Sequence, residues 1–156
     1  MPVTLDEIDV RLLTELQEDA DRPNVELARI VGLSPAATLH RVRRLKESGV
    51  IRSISARLDS TAAGFPLQVY VAVTLARHDE TANRRFEEAV RGTEQIIAAD
   101  WVAGETDAML MVVARDVADL QSVFMKLSTR GGQRMTTLLR LEELKPASPL
   151  PLGNSS

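Results

Sequence analysis

The chain has 156 residues, 44% of them hydrophobic, a formal net charge of -3 and no cysteine. That length suits one ordinary domain or two small ones, each burying its own core. Without cysteine there are no disulfides, zinc thiolates or thiol nucleophiles, and no stretch approaches the roughly 20 apolar residues of a membrane-spanning helix, so a soluble cytoplasmic protein is expected.

Charge is segregated along the chain. Residues 4–21 carry seven acids and only Arg11, whereas residues 34–57 carry six Lys or Arg against the single acid Glu47. In TLDEIDVRLLTELQED, Leu5, Ile8, Leu12 and Leu16 recur on one helical face, with Thr4 as the expected N-cap and Glu7 completing a capping box. That helix should end near residue 20. Pro23 opens a second, short helix with Leu27, Ala28, Ile30 and Val31 on its apolar side, and Gly32 stops it. Ser34-Pro35 is a start signal for a third helix running to about Ser48.

In the third helix Leu39, Val42 and Leu45 are expected to pack on the first two helices, leaving Ala37, His40, Arg41 and Arg44 on the opposite side. Two short helices joined by a tight turn, the second with small and basic residues outward, describe a helix-turn-helix reading head. Ala36 and Ala37 let the backbone approach a groove, and His40 and Arg41 are placed to reach base edges. Arg43, Arg44, Lys46 and Arg52 suit phosphates, the Ser34 end favours a phosphate oxygen, and Thr38 completes the candidate DNA-contact set. The competing reading is an amphipathic helix whose basic face is merely solvated. After Gly49, VIRSISARLD alternates as an extended arm or wing, or as a strand that only links two domains.

The hydrophobic period changes near Gly64-Phe65-Pro66. LQVYVAVTLA, residues 67–76, reads as a strand, and ETANRRFEEAVRG as a helix with an apolar stripe of Ala82, Phe86, Ala89 and Val90, stopped by Gly92. TEQIIAADWVAG and DAMLMVVAR read as a hairpin turning at 104–107. Asp116 caps a helix with Val117, Leu120, Phe124 and Leu127 in register before Gly131-Gly132, and MTTLLRLEEL is the last strand. His78-Asp79 reads as a capping loop, and Trp101 as a core residue of its strand. The order βαββαβ is the ferredoxin-like split unit, so the fold class expected is α+β, a winged-helix-like helix-turn-helix domain followed by a ferredoxin-like domain. The expected boundaries are 1–50 for the DNA-binding domain, 51–66 for the arm, 67–145 for the second domain and 146–156 for a Pro-rich disordered tail.

Such a unit leaves one sheet face bare. Tyr70, Ala72 and Thr74, with Leu110, Val112 and Ala114 if Met109 and Met111 face the helices, make that face apolar or small. A second copy is its simplest cover, giving a two-fold dimer with two reading heads for a palindromic-type operator; a monomer covered by its own arm is the alternative.

LDEID, the NVELA and VGLS helix pair and SP…L.RV.RL…GVI resemble the leucine-responsive/asparagine-synthetase (Lrp/AsnC, or feast/famine) regulators over residues 4–145. The resemblance implies a transcriptional regulator that binds double-stranded DNA, forms a homodimer able to build tetramers or octamers, and senses a small molecule, usually an amino acid, through its C-terminal domain. It places the effector at Gly104, Glu105, Thr106 and Asp107 and at Thr136 and Thr137 on the last strand. Thr106 stands where the family carries an aromatic residue, and Met135 replaces one of two usual hydroxyl residues. Chemically, the Asp107 carboxylate could pair with an ammonium while N–H groups at Gly104 and a threonine hydroxyl hold a carboxylate. Without the resemblance, 104–107 is only a hairpin turn.

No enzyme, cofactor or metal is expected. His40 and His78 fall in different domains with no neighbouring nucleophile or ligand set, and no phosphate loop is present. An amino-acid-binding or assembly module whose helix-turn-helix does not bind DNA is the alternative function, with a ferredoxin-like enzyme behind it.

Overall fold

In the computed structural model, residues 3–76, 79–128 and 133–153 are described. The chain divides into two compact units, Met1–Ala56 with Lys145–Ser156, and Arg57–Leu144.

The first unit contains α1 (Glu7–Glu18), α2 (Asn24–Val31) and α3 (Pro35–Glu47). Its core is Leu12, Leu27 and Val42, with Ile8, Leu16 and Val31 packed around them. The N-cap of α1 is Asp6, two residues later than Thr4. Asp6 accepts the Asp9 N–H at 2.8 Å, and Asp9 accepts the Asp6 N–H at 3.2 Å, a reciprocal box that satisfies two backbone donors at once. Gly32 takes φ +70 and ends α2 while Leu33 N–H returns to Ala28 O at 3.0 Å. Ser34 then caps α3 by accepting the Ala37 N–H at 3.1 Å, and Pro35 occupies the first turn. Asn24, at the start of α2, donates its amide to Pro35 O at 2.8 Å and locks the two helices at their turn. α3 closes with Gly49 at φ +78 and Ile51 N–H on Leu45 O at 3.0 Å.

The Pro-rich tail forms no regular element over 146–153 and meets α1 at Leu150. Gln17 on α1 presents its side-chain amide to the Leu150 backbone as a strand would: Leu150 N–H donates to Gln17 Oε1 at 2.7 Å and Gln17 Nε2 donates to Leu150 O at 3.2 Å. A proline-rich stretch has few N–H groups, and this one is matched. Residues 154–156 lie outside the described residues.

The second unit contains β1 (Leu67–Thr74), α4 (Glu80–Arg91), β2 (Ile96–Trp101), β3 (Ala108–Ala114), α5 (Val117–Leu127) and β4 (Arg134–Leu139), with sheet order β2-β3-β1-β4 and every pairing antiparallel. This is the ferredoxin-like βαββαβ arrangement. Asp79 and Asp116 cap α4 and α5, accepting Ala82 N–H and Asp119 N–H at 2.8 Å each. His78 and Gly131-Gly132 lie outside the described residues. Alternate β1 residues Val69, Val71, Val73 and Leu75 face the helices and meet Phe86, Val123 and Leu127.

The phase of β3 is the reverse of that expected. Leu110 and Val112 pair with Val71 and Val69 and lie in the core, while Met109 and Met111 pair with Ala72 and Tyr70 on the open face. AMLMVVA is apolar at every position, so its own pattern carries no phase, and only the register against β1 decides it. Trp101 is half exposed, tilted 5.5 Å from Phe86, with its indole N–H donating to Glu87 at 3.1 Å. The 51–66 segment forms no ladder among the described residues; its turn is held by Ala62 N–H on Asp59 Oδ1 at 2.7 Å.

No helix among the described residues is long and apolar enough to cross a membrane, and no group of His, Cys, Asp or Glu among them could hold a metal ion.

Candidate nucleic-acid interface

α3 sits rotated from the expected orientation. Its buried side is Thr38, Val42 and Leu45, at spacing i, i+4, i+7, and Leu39 turns outward at 49% exposure. The Thr38 hydroxyl donates to Ser34 O at 3.0 Å, so it tolerates complete burial. Thr38 is therefore removed from the DNA-contact set and belongs to the helix's packing face.

The rotation brings Arg41 and Arg44 against the N-terminus of α1, with a quarter of the Arg41 side chain and half of the Arg44 side chain still in solvent. Arg41 Nη1 donates to Asp6 Oδ2 at 2.6 Å and to Asp9 Oδ1 at 3.0 Å, and Arg44 Nη2 donates to Asp9 Oδ2 at 2.5 Å. Asp9 is 1% exposed, and two guanidinium groups and a capping N–H surround its carboxylate. The Arg41 fork, with the Asp9 backbone N–H next in weight, holds the Asp6 carboxyl below the ordinary carboxylate range. Asp6 first, then Asp9, raises the Arg41 guanidinium. The expectation that Arg41 and Arg44 form a free basic face is thus corrected: both are engaged by acids that share their domain. The signal was present in the sequence as acids three apart in LDEID and arginines three apart in RVRR, the same helical spacing.

What remains outward on α3 is a ridge of Ala36, Leu39, His40 and Arg43, all exposed. Ala37 is exposed beside it, and Ser34 is exposed while its hydroxyl serves as the cap. Arg43 and Arg52 have no ion-pair partner among the described residues and are exposed. The ridge begins at a helix N-terminus with small residues and carries its cation one to two turns along, a shape that admits a groove wall and then meets a phosphate.

In the second unit, the 104–107 turn and the start of β4 lie at the same end of the sheet. Asp107 N–H donates to Val73 O at 2.8 Å, and Val73 pairs with Met135 on its other side. Asp107 is half buried and its Oδ2 accepts the Leu75 N–H at 2.7 Å, which ties the turn to the end of β1. Gly104 has φ +153, a conformation that a side chain disfavours. Glu105 is exposed and Thr106 half buried. Thr136 pairs with Ala72 and Thr137 with Val71, so the two hydroxyls leave opposite faces of the sheet. Within one chain they are not brought together, and Thr136 alone shares the open face with Tyr70 and Met109.

Comparisons with known proteins accord with both units. The Winged helix-turn-helix DNA-binding family matches residues 5–52, and the Lrp/AsnC ligand binding domain matches residues 68–150. The chain is 38% identical to the HTH-type transcriptional regulator AldR of Mycobacterium tuberculosis over 96% of its own length and 84% of the relative's. It is 36% identical to the leucine-responsive regulatory protein of Rhizobium meliloti, covering 93% of this chain and 94% of that one. A transcriptional regulator from Neisseria meningitidis solved in complex with L-methionine superposes with a TM-score of 0.87 at 31% identity, covering 96% of this chain and 97% of the other. A reading helix with an exposed ridge, a ferredoxin-like domain and these matches over nearly the full length have one meaning: the chain belongs to the Lrp/AsnC family of DNA-binding transcriptional regulators.

Proposed function

We propose that this regulator binds duplex DNA as a homodimer through the Ala36–Leu39–His40–Arg43 ridge, and that an amino acid bound by its C-terminal domain modulates that binding. The observation that carries the DNA contact is the ridge itself, an outward face on a helix capped at both ends and bearing a guanidinium with no ion-pair partner among the described residues. For the effector, the support is the ligand-binding domain match together with the relatives solved with L-methionine. Gly104, Glu105, Thr106, Asp107 and Thr136 are the contacts proposed here. Thr137, on the other sheet face, would contribute only to a ligand reaching around the β4 edge.

The dimer follows from the open sheet face. Tyr70, Ala72, Met109 and Met111, half buried, and Leu138, exposed, make the open face apolar, and a two-fold copy would bury it further. Further association into tetramers or octamers belongs to the same reading.

A thermal-shift screen of the twenty amino acids, paired with duplex binding over a range of salt, tests it. At least one amino acid should raise the melting temperature and alter DNA affinity, and Arg43→Ala should flatten the slope of log K against log salt by about 0.9 per reading head. No stabilising amino acid, or an unchanged slope in Arg43→Ala, would count against the corresponding half of the proposal.

A further inference from the structure

The two acids at the start of α1 differ in their situation. Asp9 is buried and grips both arginines from within, whereas the Asp6 side chain is half exposed and, of the two arginines, touches only Arg41. Arg41 spends a single nitrogen, Nη1, on both carboxylates; its Nη2 and Nε donate to nothing among the described residues. The side chain of Arg41 is itself a quarter exposed, on the flank of α3 that meets the start of α1. At about 100° per residue, Arg44 stands between Arg41 and the Ala36–Arg43 line. An exposed carboxylate and an unfinished guanidinium fork therefore lie together, one side chain behind the edge of the DNA-reading ridge.

We propose that Asp6 is a built-in competitor for phosphate. In the free protein it holds the outer side of the Arg41 fork; on DNA, Arg41 exchanges Asp6 for a phosphate oxygen while Asp9 keeps its inner hold. Asp6 is thus a positioning residue that restrains nonspecific attraction, because the exchange yields a net gain only where the backbone path brings a phosphate within reach of the fork. The inner bond to Asp9 keeps Arg41 from swinging away, so the phosphate meets a guanidinium already oriented for two-pronged contact. Exchange of one anion for another also explains why so acidic a helix start can border a nucleic-acid surface. This inference rests on the DNA contact made by α3.

The test uses the full chain and a 30-base-pair duplex of arbitrary sequence. Asp6→Asn and Asp6→Ser both remove the charge and both preserve an N-cap acceptor, so α1 is retained, which far-ultraviolet circular dichroism checks. Both variants should bind this duplex more tightly than the unaltered protein. Their slope of log K against log salt should steepen by about 0.9 per engaged head, so that affinity lost between about 50 and 200 mM salt grows roughly threefold per head. In an Arg41→Gln background, Asp6→Asn should change neither quantity. Salt-dependent binding by the unaltered protein with an unchanged slope in both Asp6 variants overturns the competitor role and leaves the DNA contact standing. An effect of Asp6→Asn that persists with Arg41→Gln overturns it too, since a general field would then suffice. Absence of salt-dependent binding by the unaltered protein overturns the DNA contact and this inference together.

Discussion

Asp6, Asp9, Arg41 and Arg44 show how four charged side chains acquire roles that their types alone do not specify. Each could have been a solvated surface charge; the rotation of α3 makes Asp9 a buried counterion instead, and removing both arginines would leave that buried carboxylate uncompensated, which costs about 3–5 kcal/mol by the usual scale. Asp6 carries the same logic into pH dependence. Its folded-state pKa is depressed, first by Arg41 and then by the Asp9 N–H, so its contribution is present above its unfolded value of about 3.9 and is lost as pH falls through the lower folded value. Melting temperatures of the unaltered protein and Asp6→Asn should therefore differ near neutrality and converge as pH is lowered below about 4. A gap that stays constant across that range would mean the Arg41 contact does not stabilise the folded state.

At the level of elements, the reading head depends on how abruptly α2 becomes α3. Gly32 supplies the turn with φ +70, and a Cβ there would meet nothing within 4 Å. The penalty for a side chain is thus backbone conformation alone, about 1 kcal/mol. Gly32→Ala should lower unfolding stability by roughly that amount in a denaturant titration, without altering the m-value. A loss several-fold larger would point to a steric role that the open surroundings do not show. The other local devices, Ser34 on Ala37 N–H, Asp79 on Ala82 N–H and Asp116 on Asp119 N–H, were each legible as a capping residue ahead of an apolar period. Asp6 was missed as a cap because Thr4 and Glu7 offer the same three-residue spacing two positions earlier.

At the level of the whole molecule, the bare sheet face organises the assembly proposed above. Met111 sits on β3 opposite Tyr70, in the middle of that face. Met111→Glu should leave the helix-packed core intact, since that side chain points away from it, yet should convert a dimer to monomers in analytical ultracentrifugation. Duplex affinity should fall with it, because two linked heads bind far more tightly than one. A Met111→Glu protein that remains dimeric would place the two-fold contact on another surface.

The amino-acid sequence by itself determined the element order, most of the caps, the ferredoxin-like unit and the helix-turn-helix spacing, because each follows from short-range chemistry: a period of 3.6 or 2, a hydroxyl or carboxylate before a helix, a glycine after one. Tertiary structure alone decided the rotation of α3, the phase of β3, the separation of Thr136 from Thr137 onto opposite faces, and the docking of the 145–153 tail on Gln17. In α3, both Leu39–Val42–Leu45 and Thr38–Val42–Leu45 are acceptable helical stripes, and the second is the one that also lets Arg41 and Arg44 meet Asp6 and Asp9. In β3, a strand apolar at every position has no preferred side until it is paired with a neighbour whose alternation is clear. Such choices rest on contacts between residues far apart in the chain, which no local pattern encodes.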